Sequence, residues 1–86
     1  MNEPGANVAG SEETRRLVYA FSKNRREEVR AEVGDYRGHE VIDIRVWALQ
    51  DDGEKIPTRK GLTLRVDRAE ELLAAVEALA KAVRAA

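Results

Sequence analysis

The apolar residues of this chain change their spacing once, and that change restricts the folds open to it. From Val29 to Val66 they recur mostly at every second position; from Asp67 onward they recur at steps of three and four. A period of two puts alternate side chains on opposite faces of a strand, and a period near 3.6 draws a stripe along a helix. The order is therefore sheet first and helix last.

Within the sheet region, Leu17-Val18-Tyr19-Ala20-Phe21 is a short apolar and aromatic run. Val29, Ala31 and Val33 share one face of the next strand, and Gly34 to Gly38 reads as a turn. Val41 to Leu49 is the clearest strand: Ile42, Ile44, Val46 and Ala48 face one way, and Asp43, Arg45 and Trp47 face the other. Asp51-Asp52-Gly53 predicts a second hairpin turn, with Gly53 supplying a positive φ at low cost. Lys55 to Val66 closes the sheet, with Leu62, Leu64 and Val66 inward and Thr63 and Arg65 outward. Pro57 cannot donate to a ladder, so this segment begins at an edge or a bulge.

Asp67 and Glu70 have capping-box spacing at the start of an Ala-rich helix. Leu72, Val76, Leu79 and Val83 form its apolar stripe, widened by Leu73 and Ala80. The predicted class is α+β: four antiparallel strands followed by one C-terminal helix.

At 86 residues the chain holds one domain at most, and such a domain is marginal on its own. Small domains add disulfides, metals or partners. With no Cys and one His, disulfides, cysteine-based zinc and a multi-histidine metal site within one chain are excluded, and no cofactor is expected. A partner subunit is the remedy left. The helix stripe is also longer than one small sheet needs, so Leu72, Val76, Leu79 and Val83 are expected at a homodimer interface.

Residues 1–14 have almost no large apolar side chain and are expected to be a disordered tail, with the domain spanning 15–86. They lack the basic and apolar regions of a signal peptide, and no run approaches the roughly 18 apolar residues of a membrane span. The absence of Cys fits an intracellular protein.

Catalysis finds no foothold. Nucleophilic chemistry needs a nucleophile, a base and an orienting group, and His39 is the only imidazole. There is no phosphate-binding loop and no GxGxxG. Binding is better supported, although 15 Lys and Arg against 16 Asp and Glu lack the usual basic excess of a nucleic-acid binder. What matters is whether the charges segregate by face. Arg45 and Trp47 leave the same face, and Arg30 and Arg65 also point outward. Tyr36-Arg37 lies at a turn, and Arg59-Lys60-Gly61 puts two cations beside a residue that permits close approach. Proteins that hold single strands combine cationic grooves with aromatic platforms. Trp47 could equally cover a second apolar layer or a dimer contact, and Arg45 could simply pair with Asp43.

The string Tyr36-Arg37-Gly38-His39, then Val41-Ile42-Asp43-Ile44-Arg45, an acidic loop ending in Gly53-Glu54, and Pro57-Thr58-Arg59-Lys60-Gly61-Leu62-Thr63-Leu64 resembles the C-terminal domain of transcriptional coactivator positive cofactor four. The likeness runs from about Leu17 to the end. It implies a curved four-stranded antiparallel sheet with one helix, and a homodimer whose sheets form channels for single-stranded or melted DNA. By position, Tyr36 takes the place of the family's stacking aromatic, and Arg37, Arg45, Arg59 and Lys60 sit where basic residues line the channel. His39 replaces the second basic turn residue. The family's stacking Trp falls on Ala48, while Trp47 lies one position earlier on the opposite face. The Ala/Arg/Val-rich composition and short N-terminal segment look like a bacterial member, which implies a cytoplasmic, nucleoid-associated protein, or a nuclear one in a eukaryote. Two readings follow: single-stranded DNA binding in transcription or other DNA transactions, with RNA as a variant and the transcription machinery as a further partner, or a protein-interaction module using the same sheet face.

Overall fold

The computed structural model describes residues 14–85. Four strands, β1 (Thr14–Asn24), β2 (Glu27–Tyr36), β3 (His39–Leu49) and β4 (Lys55–Arg65), form one antiparallel sheet in the order β1-β2-β3-β4. A 3₁₀ turn (Val66–Arg68) then leads into α1 (Ala69–Ala85). The expected class and element order are those observed. The tail expected over residues 1–14 lies outside the described residues except for Thr14, which opens β1.

The register divides the sheet into two faces of different chemistry. Pairing of Glu32 with Asp43, Arg30 with Arg45 and Glu28 with Trp47 collects polar side chains on one face. Ile42 opposite both Val33 and Leu64, and Ile44 opposite both Ala31 and Leu62, make the other face apolar. Both sets follow from the period-two pattern.

Burial runs against the simple expectation of apolar side chains inside. The most buried side chains are Val41 at 5% exposure and Asp43 at 2%, and both belong to the polar face. The face read as inward stays half-covered or open, with Ile56, Leu62, Tyr19 and Phe21 exposed. The helix does not cover it: α1 packs chiefly on the 3₁₀ turn, which touches β3. Along α1, Leu72 is half-buried while Val76 is 49% and Val83 74% exposed.

Two local readings need correction. The turn expected over Gly34–Gly38 shrinks to Arg37-Gly38, with β2 continuing to Tyr36. Gly34 serves a different purpose: a Cβ there would lie 1.8 Å from the Thr14 carbonyl oxygen, so its absence lets β1 pass close over β2. The capping box at Asp67 and Glu70 is replaced by the 3₁₀ turn, in which Asp67 occupies the first turn and no side-chain cap forms. The second hairpin turn does fall at Asp51-Asp52-Gly53, with Gly53 at φ 93°.

Pro57 lies on edge strand β4, as its missing donor requires, and a bulge follows it. Trp47 pairs with Pro57 and Arg45 with Gly61, so Thr58, Arg59 and Lys60 oppose Val46 alone. The bulge closes tightly at Gly61, where a Cβ would meet Ile44 O at 2.4 Å and Arg45 Cα at 2.7 Å. Neither is the movable end of a side chain, so β4 must shift to admit a methyl group. Gly61→Ala is expected to lower stability by about 1–3 kcal/mol in urea unfolding at fixed protein concentration. An unchanged midpoint would show that the edge strand yields freely.

Candidate nucleic-acid interface

The residues singled out by sequence fall into three groups. Tyr36, Arg37 and His39 form the β2–β3 hairpin tip. Arg45 and Trp47 lie on the polar face of β3. Arg59 and Lys60 ride the β4 bulge. The first and third groups stand at opposite ends of β3: His39 to Val46 is seven residues, or roughly 23 Å at about 3.3 Å per residue.

At the tip, a two-residue turn joins strands of right-handed twist, which favours positive φ at both central positions. Arg37 (φ 51°) and Gly38 (φ 81°) supply it. A non-glycine residue in this region is uncommon and strained. Tyr36, paired across the turn with His39, is 38% exposed, and the Arg37 guanidinium lies 5.2 Å from its ring centroid. An aromatic ring with a cation over one of its faces is thus held at an exposed corner.

The middle of the polar face is an ion-pair network centred on Asp43. Arg45 grips this carboxylate with two hydrogen bonds, Nη2 at 2.9 Å and Nε at 3.2 Å. Thr63 donates its hydroxyl to the same carboxylate, and Arg15 of β1 reaches it at 3.3 Å. Burial pushes the Asp43 carboxyl up, but the bonds from Arg45 and Thr63 and the two guanidinium charges outweigh it and hold it below the usual carboxylate range. Its cross-strand neighbour Glu32 moves the other way: burial raises it, and Arg15 at 3.9 Å offsets only part of that.

Arg45 is thus engaged within the sheet. Its side chain is half-buried, and besides Asp43 it donates Nη1 to the Thr58 carbonyl at 3.0 Å. Trp47, read either as a stacking platform or as a packing residue, is covered in turn. It is half-buried, and Arg30 lies over its ring 4.1 Å from the centroid. Arg30 is in turn paired with Glu28, which Lys55 also reaches at 2.9 Å. The indole Nε1 is buried without a hydrogen-bond partner among the described residues. Arg59 and Lys60 are exposed, and Lys60 Nζ extends to within 4.0 Å of Glu27.

Segregation by face answers the question left by the near-neutral balance. Arg15, Arg30, Arg45, Lys55 and Arg65 share the polar face with Glu28, Glu32 and Asp43, a local excess of cations. Sequence reasoning passed over Arg15, whose role depends on the register of β1 over Gly34, and over Thr58 and Thr63, whose hydroxyls gave no local signal. Among the described residues no cluster of His, Cys, Asp or Glu is placed to hold a metal, and no helix is long and apolar enough to cross a membrane.

A family model described as Transcriptional Coactivator p15 (PC4) matches residues 23–75. The fold is similar to crystal structures of BPSL1147, a PC4 homolog from Burkholderia pseudomallei K96243. The tetragonal form aligns at a TM-score of 0.72 and 21% identity over 78% of this chain and 98% of that one. The orthorhombic form aligns at 0.70 and 20% identity over 85% and 95%. No curated protein matches the chain.

The electrostatics of Asp43 carry a pH signature. A carboxyl that titrates lower in the folded state contributes stability that is complete above its unfolded pKa of about 3.9 and is lost as pH falls through the folded value. Glu32, raised by burial, contributes the opposite sign, gaining stability as pH falls through its folded value. Asp43→Asn is expected to lose about 3 kcal/mol at pH 7, because Arg45 and Arg15 keep their charge while the carboxylate that pairs them goes. It should also lose less additional stability than the wild type below about pH 4. Parallel stability–pH curves for the two proteins would refute this assignment.

Proposed function

The chain belongs to the transcriptional coactivator p15 (PC4) family, and from that premise we propose that it is a homodimeric, sequence-tolerant single-stranded DNA-binding protein acting in transcription or related DNA transactions. The observation that carries the reading is the Tyr36-Arg37 tip, a part-exposed ring with a cation over one face on a strained turn, which leaves the other face for a base. Bases stack on such rings whatever their sequence. Arg59 and Lys60, exposed on the β4 bulge, are the candidate phosphate contacts at the other end of the sheet, with Arg37 at the tip. His39 flanks the ring, and Trp47 lies beneath Arg30 as a platform that opens only if that guanidinium moves aside.

The homodimer is supported by what one chain leaves uncovered. Among the described residues only Val41 is a buried apolar side chain, and it keeps 5% exposure. The apolar sheet face and the Val76, Leu79 and Val83 side of α1 are both open. Light scattering at micromolar concentration should report twice the 9.6 kDa chain mass. Val76→Asp should give unfolded or aggregated protein, since a charge on the shared surface removes the burial a small chain depends on. A stable, folded 9.6 kDa species would overturn the dimer.

Titration with single-stranded DNA, duplex DNA and RNA of equal length tests the binding itself. Phosphate contacts are available in every substrate, whereas a duplex hides its base faces by stacking. Single strands should therefore bind more tightly than duplex. Tyr36→Ala should weaken single-strand binding roughly tenfold or more, at about 1–3 kcal/mol per stacked base, and leave weak duplex binding almost unchanged. Equal loss on both would mean that the ring only packs over its turn, and no binding at moderate salt would favour a protein-interaction role for the same face.

A further inference from the structure

We propose that Asp43 and Arg45 are positioning residues that hold the β4 bulge in the shape that presents Arg59 and Lys60, and that Arg45 does not itself touch the bound strand. The inference rests on the binding function proposed above and assigns the roles within it.

The geometry forms one chain of bonds. Asp43, buried to 2% exposure, fixes the Arg45 guanidinium through two of its nitrogens. The third nitrogen, Nη1, donates to the Thr58 carbonyl at 3.0 Å, the first residue of the bulge. The Thr58 hydroxyl donates to the Val46 carbonyl at 2.8 Å and accepts the Lys60 amide at 3.2 Å. Gly61 then brings β4 back against Arg45 itself. A bulge leaves its extra residues outside the ladder, so their conformation must be set by other bonds. Here those bonds start at Arg45. A guanidinium spreads its donors in a fixed planar fork, so it can satisfy a carboxylate and a backbone carbonyl together; a lysine ammonium is a point charge without that fork.

Salt dependence separates the two roles. Each phosphate contact on a single strand contributes about −0.7 to the slope of log K against log salt. Arg45→Lys keeps the charge, so a direct contact at Arg45 would leave the slope nearly intact. A positioning role predicts loss of both bulge contacts, which flattens the slope by about 1.4 and weakens binding roughly tenfold or more. In an Arg59→Ala/Lys60→Ala background, Arg45→Lys should then have no further effect on affinity, whereas a direct contact would add its own loss.

The experiment is a salt titration of labelled oligothymidylate against these variants, with backbone amide exchange of Lys60 followed in the free protein. Faster exchange of that amide in Arg45→Lys, with the flattened slope and the silent triple variant, supports the proposal. If Arg45→Lys does not fold, Thr58→Val takes its place. It removes the hydroxyl that links Val46 to Lys60, keeps the carbonyl that Arg45 uses, and should flatten the slope likewise. An unchanged slope and affinity in the folded variant, or additive losses in the triple variant, overturns the proposal while leaving single-strand binding intact. Failure of the wild type to bind oligothymidylate defeats the binding function instead, and Lys60 exchange then still reads whether Arg45 holds the bulge.

Discussion

A carboxylate withdrawn from water must be neutralised by its neighbours, and at Asp43 two strands besides its own contribute to that. Arg45 answers from β3 itself, Thr63 from β4 and Arg15 from β1, while Glu32 of β2, directly across, adds a second carboxylate that the same guanidinium groups face. Such a cluster is weak evidence for net stability, since desolvation consumes much of the Coulombic gain. Its geometric demand is strict. If β1 slipped by one residue, Arg15 would leave the polar face, because neighbouring side chains on a strand point to opposite sides. The two close approaches, at Gly34 and Gly61, bring the outer strands near enough for their side chains to reach the centre.

The two faces therefore depend on different sources of order. The polar face draws its order from within one chain, from the ion pairs and hydrogen bonds gathered on Asp43. The apolar face does not. Val29, Val33, Ile42, Ile44, Leu62 and Leu64 line it, and among the described residues α1 packs chiefly on the 3₁₀ segment rather than across this face. Hydrophobic stabilisation scales with the area removed from water. A chain that withholds its helix from its own sheet forgoes much of that area unless another surface supplies it.

How much of this was legible in the sequence depends on range. The alternation from Val41 to Leu49 and the stripe from Leu72 to Val83 are local patterns, and both elements appear where the spacing puts them. Pro57 marked an edge for an equally local reason. Gly34 was misread because a glycine signals a turn and a close approach with the same letter, and only the passage of β1 decides between them. Asp67 was misread because its spacing to Glu70 suits a capping box, while the chain enters the helix through a tighter 3₁₀ turn. At the site, the pairing of Arg45 with Asp43 was visible as one of two readings. Its bond to Thr58 was not, since it crosses between strands thirteen residues apart. Arg15 was invisible for the same reason. For Trp47 the face was legible and the exposure was not, because Arg30, which covers it, comes from the neighbouring strand.

Separation of the tip from the bulge has a mechanistic consequence on the proposed reading. Stacking at Tyr36 distinguishes an open strand from a duplex but adds little attraction at long range. Cations at Arg59 and Lys60 attract any polyanion without distinguishing its form. If both lay at one point, a single flexible contact could serve for both, and the protein would tolerate many substrate geometries. With roughly 23 Å of β3 between them, a ligand satisfies both within one chain only by lying extended along the sheet. Extension is readily available to a single strand and unavailable to a duplex at the same spacing of exposed bases. Preference for single strands then arises from the length of β3 as well as from the ring.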